Sequence, residues 1–394
     1  MRCLWITLAY PDPPHNGQYV YTGGLIRSLA GAGADIVALG LERPERATDL
    51  NGRYEEVEWH LVPHRPRPKW SSVISPLPNI ANRCCTPDMR STLARLLTGH
   101  VWDAIVFDGI SAGWALAQVL EWQRQARPRP KLVYVSHNHE ESLRRSVAKE
   151  QPHPLRRGVM RVDAVKVARL ERGLVAAADL VTAITAEDGS LYRNDWPERP
   201  VQVLTPGFDG EIARHRRLTA ALPRRAILVG SFDWIAKRMN LEEFVRVADP
   251  IFAANGVELH IIGSAEREFL DSMRRRAITT RFLGPVESVQ EHMAQARVAV
   301  VPERNGGGFK LKVLDYVFAR MPILALKGSV AGVPLEDGDS IMLYANQEAL
   351  ATGVVQAIDE LDQLNHLQDA AFRACADQFD WRQRGQQFIE ALAA

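Results

Sequence analysis

Residues 303–328 read ERNGGGFKLKVLDYVFARMPILALKG. Three consecutive glycines, Gly306, Gly307 and Gly308, run into a helical pattern that begins near Leu311, and an apolar strand-like stretch follows at 321–328. Glycine lets a backbone approach a ligand closely, and a helix N-terminus offers unpaired N–H groups to an anion such as a diphosphate. Lys310 and Lys312 add positive charge at the same mouth. Two residues apart on a helix they do not share a face, so Lys310, nearer the glycines, is the expected phosphate contact. Asp315 lies one turn further in, where a carboxylate can accept two ribose hydroxyls. Glycines before a helix are common, so the weight of this segment depends on its surroundings.

Those surroundings are regular. Strand-like runs at 225–232, 257–264, 280–286, 298–303 and 321–328 alternate with helix-like stretches at 239–254, 265–277, 287–296 and 311–320. The first half repeats the scheme, with strand-like runs at 3–10, 34–41, 56–63, 104–109, 131–137 and 180–185 and helix-like stretches such as 22–33 and 89–99. Strands alternating with helices imply βαβ units and parallel sheets. Between the halves, TPGFDGEIARHRRLTAALPR (205–224) is rich in Pro, Gly and charge without strand character. The expected organisation is α/β, with two tandem Rossmann-like, doubly wound domains at 1–207 and 225–379, a linker at 208–224 and a deep interdomain cleft. Ligands are expected in that cleft, at the carboxyl ends of the strands.

The bulk numbers agree with a globular chain of this size. Its 394 residues suffice for two ordinary domains, and 48 Lys plus Arg against 47 acidic residues leave no global charge to draw it to nucleic acid. Cys3, Cys84, Cys85 and Cys375 form neither CxxC pairs nor a Cys/His ligand grid, which argues against a disulfide framework or structural zinc and fits a cytoplasmic location. The N-terminal apolar run is broken by prolines too early for a secretory signal, and no apolar run reaches the roughly 18 residues that a membrane span needs. After the first strand the chain reads YPDPPHNGQYVYTGG (10–24), with prolines where a dinucleotide fingerprint would place glycines. This disfavours an oxidoreductase.

The string GGFKLKVLDYVFARMPIL resembles the donor-binding motif of glycosyltransferase family 4, whose typical form is EGFGLPVLEAMACGLPVV. Four further segments resemble that family in the right order. They are the Pro-rich opening with Gly17 (10–39), VYVSHNHEESLRR (133–145), SFDWIAKRMNLEEF (231–244) with a lysine at 237, and the C-terminal QFDWRQRGQQFIEAL (378–392). The resemblance implies a GT-B fold, an acceptor-binding first domain and a nucleotide-sugar-binding second domain. The helix at about 380–394 would pack back on the first. It also implies a sugar transferred from a UDP-, GDP- or dTDP-linked donor to a glycan, lipid-linked or other small acceptor, in bacterial envelope or exopolysaccharide assembly.

Carried onto this chain, the resemblance makes Lys237 the residue that stabilises charge on the departing diphosphate, with Lys310 beside it. Gly17, Ser231, Gly306, Gly307, Gly308, Phe309 and Asp315 fall at donor-binding positions. His137, at a strand end, is a candidate base, and Asp12, His15, Asn138 and Glu140 are candidates for holding the acceptor. Two departures matter. The family's first motif glutamate is replaced by Gly307, and the arginine that partners the diphosphate lysine falls at Ser231. His137 and His139 lack a third ligand at suitable spacing and no DxD-like site is evident, so neither metal nor other cofactor is expected. A sugar-nucleotide epimerase or hydrolase on the same fold, or a non-catalytic partner subunit, stays open as an alternative.

Two basic clumps remain. LRRGVMRVDAVKVARLERG (155–173) sets cations along a helical stretch, and RPRPKWSSVISPLP (65–78) mixes them with Trp70, Val73, Ile74 and Leu77. Either could hold the protein peripherally on an anionic membrane surface, the inner face of the cytoplasmic membrane being the expected one. A solvated helix face and a loop packed on its own domain are the competing readings.

Overall fold

The computed structural model describes residues 1–14, 16–43, 54–65, 67, 71–151, 153–233, 235–303 and 308–393, with nothing taken from the side chains of Val73 and Glu150. The chain divides into two compact units, Met1–Gly207 with Asp380–Ala394, and Phe208–Phe379.

The first unit runs β1 (Arg2–Ala9), α1 (Gly17–Gly31), β2 (Asp35–Leu41), β3 (Val57–Val62), α2 (Ser71–Ile74), α3 (Asn79–Cys84), α4 (Pro87–Gly99) and β4 (Ala104–Asp108). After a 3-10 turn at Ile110–Ala115 come α5 (Leu116–Gln123), β5 (Lys131–Val135), α6 (Glu140–Glu150), α7 (Pro154–Ala177), β6 (Leu180–Ala183), α8 (Ala186–Asp195) and β7 (Val201–Val203). Its seven strands lie in the order β3-β2-β1-β4-β5-β6-β7, all parallel. The order reverses at β1, the switch point at which doubly wound folds open a crevice beyond the strand ends. β1 and β4 are buried almost throughout, as strands covered by helices on both faces must be.

The second unit runs β8 (Arg225–Val229), α9 (Ile235–Ala254), β9 (Glu258–Ile262), α10 (Arg267–Arg276), β10 (Arg281–Gly284), α11 (Val289–Ala294) and β11 (Val298–Val301). It continues with α12 (Leu311–Phe318), β12 (Ile323–Leu326), β13 (Met342–Tyr344), α13 (Gln347–Ala357) and α14 (Leu361–Cys375). Its six parallel strands are ordered β10-β9-β8-β11-β12-β13, with the switch at β8. Each unit has its own apolar core, one around Leu4, Val37, Phe107 and Tyr134, the other around Leu228, Phe244, Leu259 and Val300.

The last helix, α15 (Trp381–Ala393), belongs to the first unit, where it packs on α1. Small residues allow this. A Cβ on Gly385 would lie 2.0 Å from the Ser28 carbonyl oxygen, and one on Gly24 would lie 2.2 Å from the Trp381 ring.

Three details differ from the sequence expectation. The short strands β7 and β13 have three residues each, too few to show a period, and no strand was expected at either place. α9 starts at Ile235, four residues before the expected 239, because Ala236 turns inward with Asn240 and Leu241. The stretch 208–224 is packed against the second unit: Leu218 joins its core, and the Arg216 guanidinium donates to the carbonyls of Met293 and Ala296 at 2.9 and 2.5 Å. Among the described residues no helix is long and apolar enough to cross a membrane.

Candidate functional site

In the first unit, the carboxyl ends of β4 and β5 bring together Asp108 and His137. Asp108 is fully buried, and its Oδ1 lies 2.6 Å from His137 Nε2. Its Oδ2 accepts from the hydroxyls of Thr7 on β1 and Thr22 on α1, each at 2.7 Å. Burial works against the charge, yet His137 and the two threonine hydrogen bonds outweigh it and hold the carboxyl below its ordinary value. A carboxylate only accepts, so Nε2 carries the imidazole proton and Nδ1 is left as the basic nitrogen. Gly109 makes room for the ring. It has φ 73°, and a Cβ there would sit 3.2 Å from His137 Cδ2. Tyr21 meets the ring edge-on, with 5.3 Å between centroids.

Beside the pair, Asn138 is half-buried, and its amide donates to Glu140 Oε1 at 3.4 Å. Glu140 is buried and bound to Arg144 at 2.9 Å, so its carboxylate is spent inside α6. Under that helix lies Glu171. It accepts the backbone N–H groups of Glu140 and Glu141 at 2.9 and 2.7 Å and the Tyr192 hydroxyl at 2.6 Å. Burial pushes its carboxyl up to about 7. His139 is a capping residue, its ring bonded to Ser142 and set against Tyr192. Asp12 lies half-exposed in the loop after β1, and Gly17 is the exposed first residue of α1. His15 lies outside the described residues.

In the second unit the organising residue is Glu303, just beyond β11. It is 8% exposed and ion-paired to Lys312. Burial would raise its pKa, but Lys312, then Lys310 and Lys237, hold it lowered and ionised. Its Oε2 has no hydrogen-bond partner among the described residues. Lys237 sits in the first turn of α9, where burial first and Lys312 second push its ammonium down, against Glu303 and Asp233. Lys312 is the lysine in contact with this carboxylate, while Lys310 and Lys237 act on it through their charge. Lys312 is committed to it.

Gly308, at φ 72°, leads into α12, whose cap residue Lys310 makes no side-chain capping hydrogen bond. The Val313 N–H is bonded to the Lys310 carbonyl at 2.8 Å, and among the described residues the Leu311 and Lys312 N–H groups at the helix start have no side-chain cap. Tyr316 fixes the helix by accepting the Val229 N–H at 2.7 Å. Asp315, on the opposite side of the helix from the core, is exposed. Desolvation by surrounding protein nevertheless raises its carboxyl to about 6, so it is open to solvent but crowded. Phe309 is buried edge-on against Phe379, 5.9 Å between centroids, and serves as packing. Ser231 donates to Asp233 at 2.7 Å. Gly306 and Gly307 lie outside the described residues.

Two functional candidates carry no local signal in the sequence, Asp108 and Glu303. Each is a single carboxylate at a strand end, where a scan for buried acids at the carboxyl edge would find it. Among the described residues no three His, Cys, Asp or Glu side chains cluster as a metal site would need.

Residues 16–207 match the family model described as a glycosyl transferase 4-like domain, and residues 223–360 match that of glycosyl transferases group 1. Comparison with curated protein sequences gave no match. Among solved structures, sucrose-phosphate synthase from Thermosynechococcus elongatus is 16% identical with a TM-score of 0.69, over 99% of this chain and 98% of that one. Anabaena HepE in complex with UDP and glucose is 13% identical with a TM-score of 0.66, over 100% and 99%. An S. aureus TarM variant in complex with Fondaparinux, alpha-GlcNAc-glycerol and UDP is 9% identical with a TM-score of 0.69, over 100% of both chains. With two switch-pointed parallel sheets and both halves matched by consecutive family models, this chain belongs to the GT-B-fold glycosyltransferases of the family 4 type.

Proposed function

We propose that the chain transfers a sugar from a nucleoside diphosphate sugar, UDP-linked before GDP- or dTDP-linked, to a glycan or lipid-linked acceptor. The preference for UDP rests on the structural neighbours that hold UDP or UDP-glucose. The observation that carries the reading is the Glu303–Lys312 ion pair at the start of α12, with Lys310 and Lys237 acting on the same carboxylate and Asp315 one turn on. Lys312 is held by Glu303. Lys237, Lys310 and the helix N–H groups are the groups we assign to the charge of a departing diphosphate. Asp315, ionised above about pH 6, would accept the ribose hydroxyls. Glu303 Oε2 would be the acceptor for a donor hydroxyl, in place of the carboxylate lost at Gly307.

In the first unit, His137 is the group we assign to the acceptor. Asp108 holds its proton on Nε2, so Nδ1 can take a proton from the attacking hydroxyl or hold that hydroxyl in place. We propose that no metal takes part, the lysines and helix dipole carrying the charge.

The test is release of the nucleoside diphosphate from a panel of UDP-, GDP- and dTDP-sugars, with and without EDTA. Release from one nucleotide class, unchanged by EDTA and lowered about 100-fold or more in Lys237→Ala, is expected. Release that disappears with EDTA and returns with manganese would overturn the metal-free mechanism. Binding of donors without any turnover would favour the non-catalytic partner subunit.

A further inference from the structure

Residues 136–141 join β5 to the first turn of α6 and carry His137 and Asn138. Carboxylates from three other elements pin this segment. Asp108 on β4 holds the His137 ring, and Asp188 on α8 accepts the His139 N–H at 3.2 Å. Glu171 on α7 accepts the N–H groups of Glu140 and Glu141, one on each oxygen. Those two groups belong to the first turn of α6, where the helix has no acceptor of its own. The cap residue His139 gives its ring to the Ser142 N–H, so Glu171 satisfies from another helix what the cap leaves over.

Glu171 is 2% exposed, and it also reaches the turn ahead of the helix. The Tyr192 hydroxyl lies 2.6 Å from Glu171 Oε1, 2.8 Å from Ser136 Oγ and 3.2 Å from the Asn138 carbonyl oxygen. It has one proton to give, and an ionised carboxylate is the strongest of these acceptors. Ser136 is then left to donate to the Asn138 carbonyl at 2.6 Å, which closes the turn that carries His137.

The titratable groups facing Glu171 are Tyr134 on β5, Glu140, Glu141 and Arg144 on α6, Arg172 on its own helix, and Tyr192 on α8, with His139 set against Tyr192. Glu140 is paired with Arg144, and Glu141 with Arg145 and Arg172. Among the described residues no cation pairs with Glu171 itself, and burial places its carboxyl at about 7.

We propose that Glu171 is a positioning residue for sugar transfer: its ionised carboxylate holds the start of α6 and the turn before it, fixes where His137 stands, and loosens that turn when it is protonated. A neutral acid keeps one carbonyl oxygen as acceptor and turns the other into a donor, so it cannot receive both N–H groups. The inference rests on the role assigned to His137 above.

The test compares the full chain with Glu171→Gln by two readouts. The first is the amide shifts of Glu140 and Glu141 in protein labelled with 15N-glutamate, followed from about pH 6 to about pH 8.5. In the parent both should move together with a midpoint of about 7, and in the variant neither should move. The second is release of UDP from UDP-glucose with water as acceptor. At about pH 8 the variant should turn over about tenfold more slowly with KM for UDP-glucose unchanged. The ratio of parent to variant turnover, in which the other titrating groups cancel, should fall to about twofold at about pH 6. A purely structural loss would leave that ratio constant. Amides that do not titrate in the parent, or a ratio that does not change with pH, would overturn the proposal. The parent titration needs no variant, so it decides the matter even where Glu171→Gln fails to fold. A parent that releases no UDP would count against the functional reading instead, and the amides would still show whether Glu171 holds the turn.

Discussion

Asp108 and His137 stand 29 residues apart in sequence and 2.6 Å apart in space. His137 was legible because it sits in a cluster of polar residues at a strand end. Asp108 was not, because AIVFDG reads as a strand with an acidic terminus, and only the fold supplies the partner. Asp108→Asn is expected to lower turnover by about 100-fold or more while leaving nucleotide binding unchanged, because the amide can offer N–H to Nε2 and reverse the tautomer. Equal turnover in the variant would remove Asp108 as a positioning residue. Asp315 gives a pH-dependent expectation. Its folded value of about 6 lies above the ordinary 3.8, so the ionised carboxylate is disfavoured by the fold above about pH 6, and that cost vanishes below 3.8. Asp315→Asn should therefore raise the melting temperature at pH 8 by roughly 1–3 °C, allowing for solvent screening, and leave it unchanged at pH 3.5. Donor affinity in the parent should fall as pH drops through 6.

At the scale of elements, hydrophobic periodicity located the long pieces and failed on the short ones. β1, β4 and β5 are near-continuous apolar runs and could be read directly. β7 and β13 exist because a neighbouring strand offers an edge, which no local pattern announces. The start of α9 shifted for a similar reason, since burial of Ala236 is decided by the sheet beneath it. The packing of α15 on α1 is a tertiary fact with a sharp test. A valine at Gly385 would have to displace the Ser28 backbone, and Gly385→Val should lower stability by about 1–3 kcal/mol, seen as an earlier denaturant transition of the first unit. Glu171→Ala should likewise destabilise, by about 1–3 kcal/mol, because it leaves the Glu140 and Glu141 N–H groups without their carboxylate acceptor. An unchanged transition in either variant would show that the contact carries no stability.

Across the whole molecule, the repeated strand–helix alternation and the break near 205–224 were enough to anticipate two doubly wound units. The chemistry was only half legible. In the sequence GGFKLKVLD suggests a phosphate-binding helix start, whereas Glu303, a few residues ahead of it, gives no local sign of its ion pair with Lys312 and lies far in sequence from Lys237. The central claim is that this assembly binds a nucleoside diphosphate. The most direct test is a thermal-shift series with UDP, GDP, dTDP and ADP on the parent, Lys237→Ala and Asp315→Ala. A ligand at about 100 times its dissociation constant adds roughly 2.7 kcal/mol to the unit that binds it. Stabilisation by one nucleoside diphosphate, UDP first, that is lost in both variants is the expected result. Stabilisation that persists in both variants, or none with any nucleotide, would contradict the assignment of the donor site.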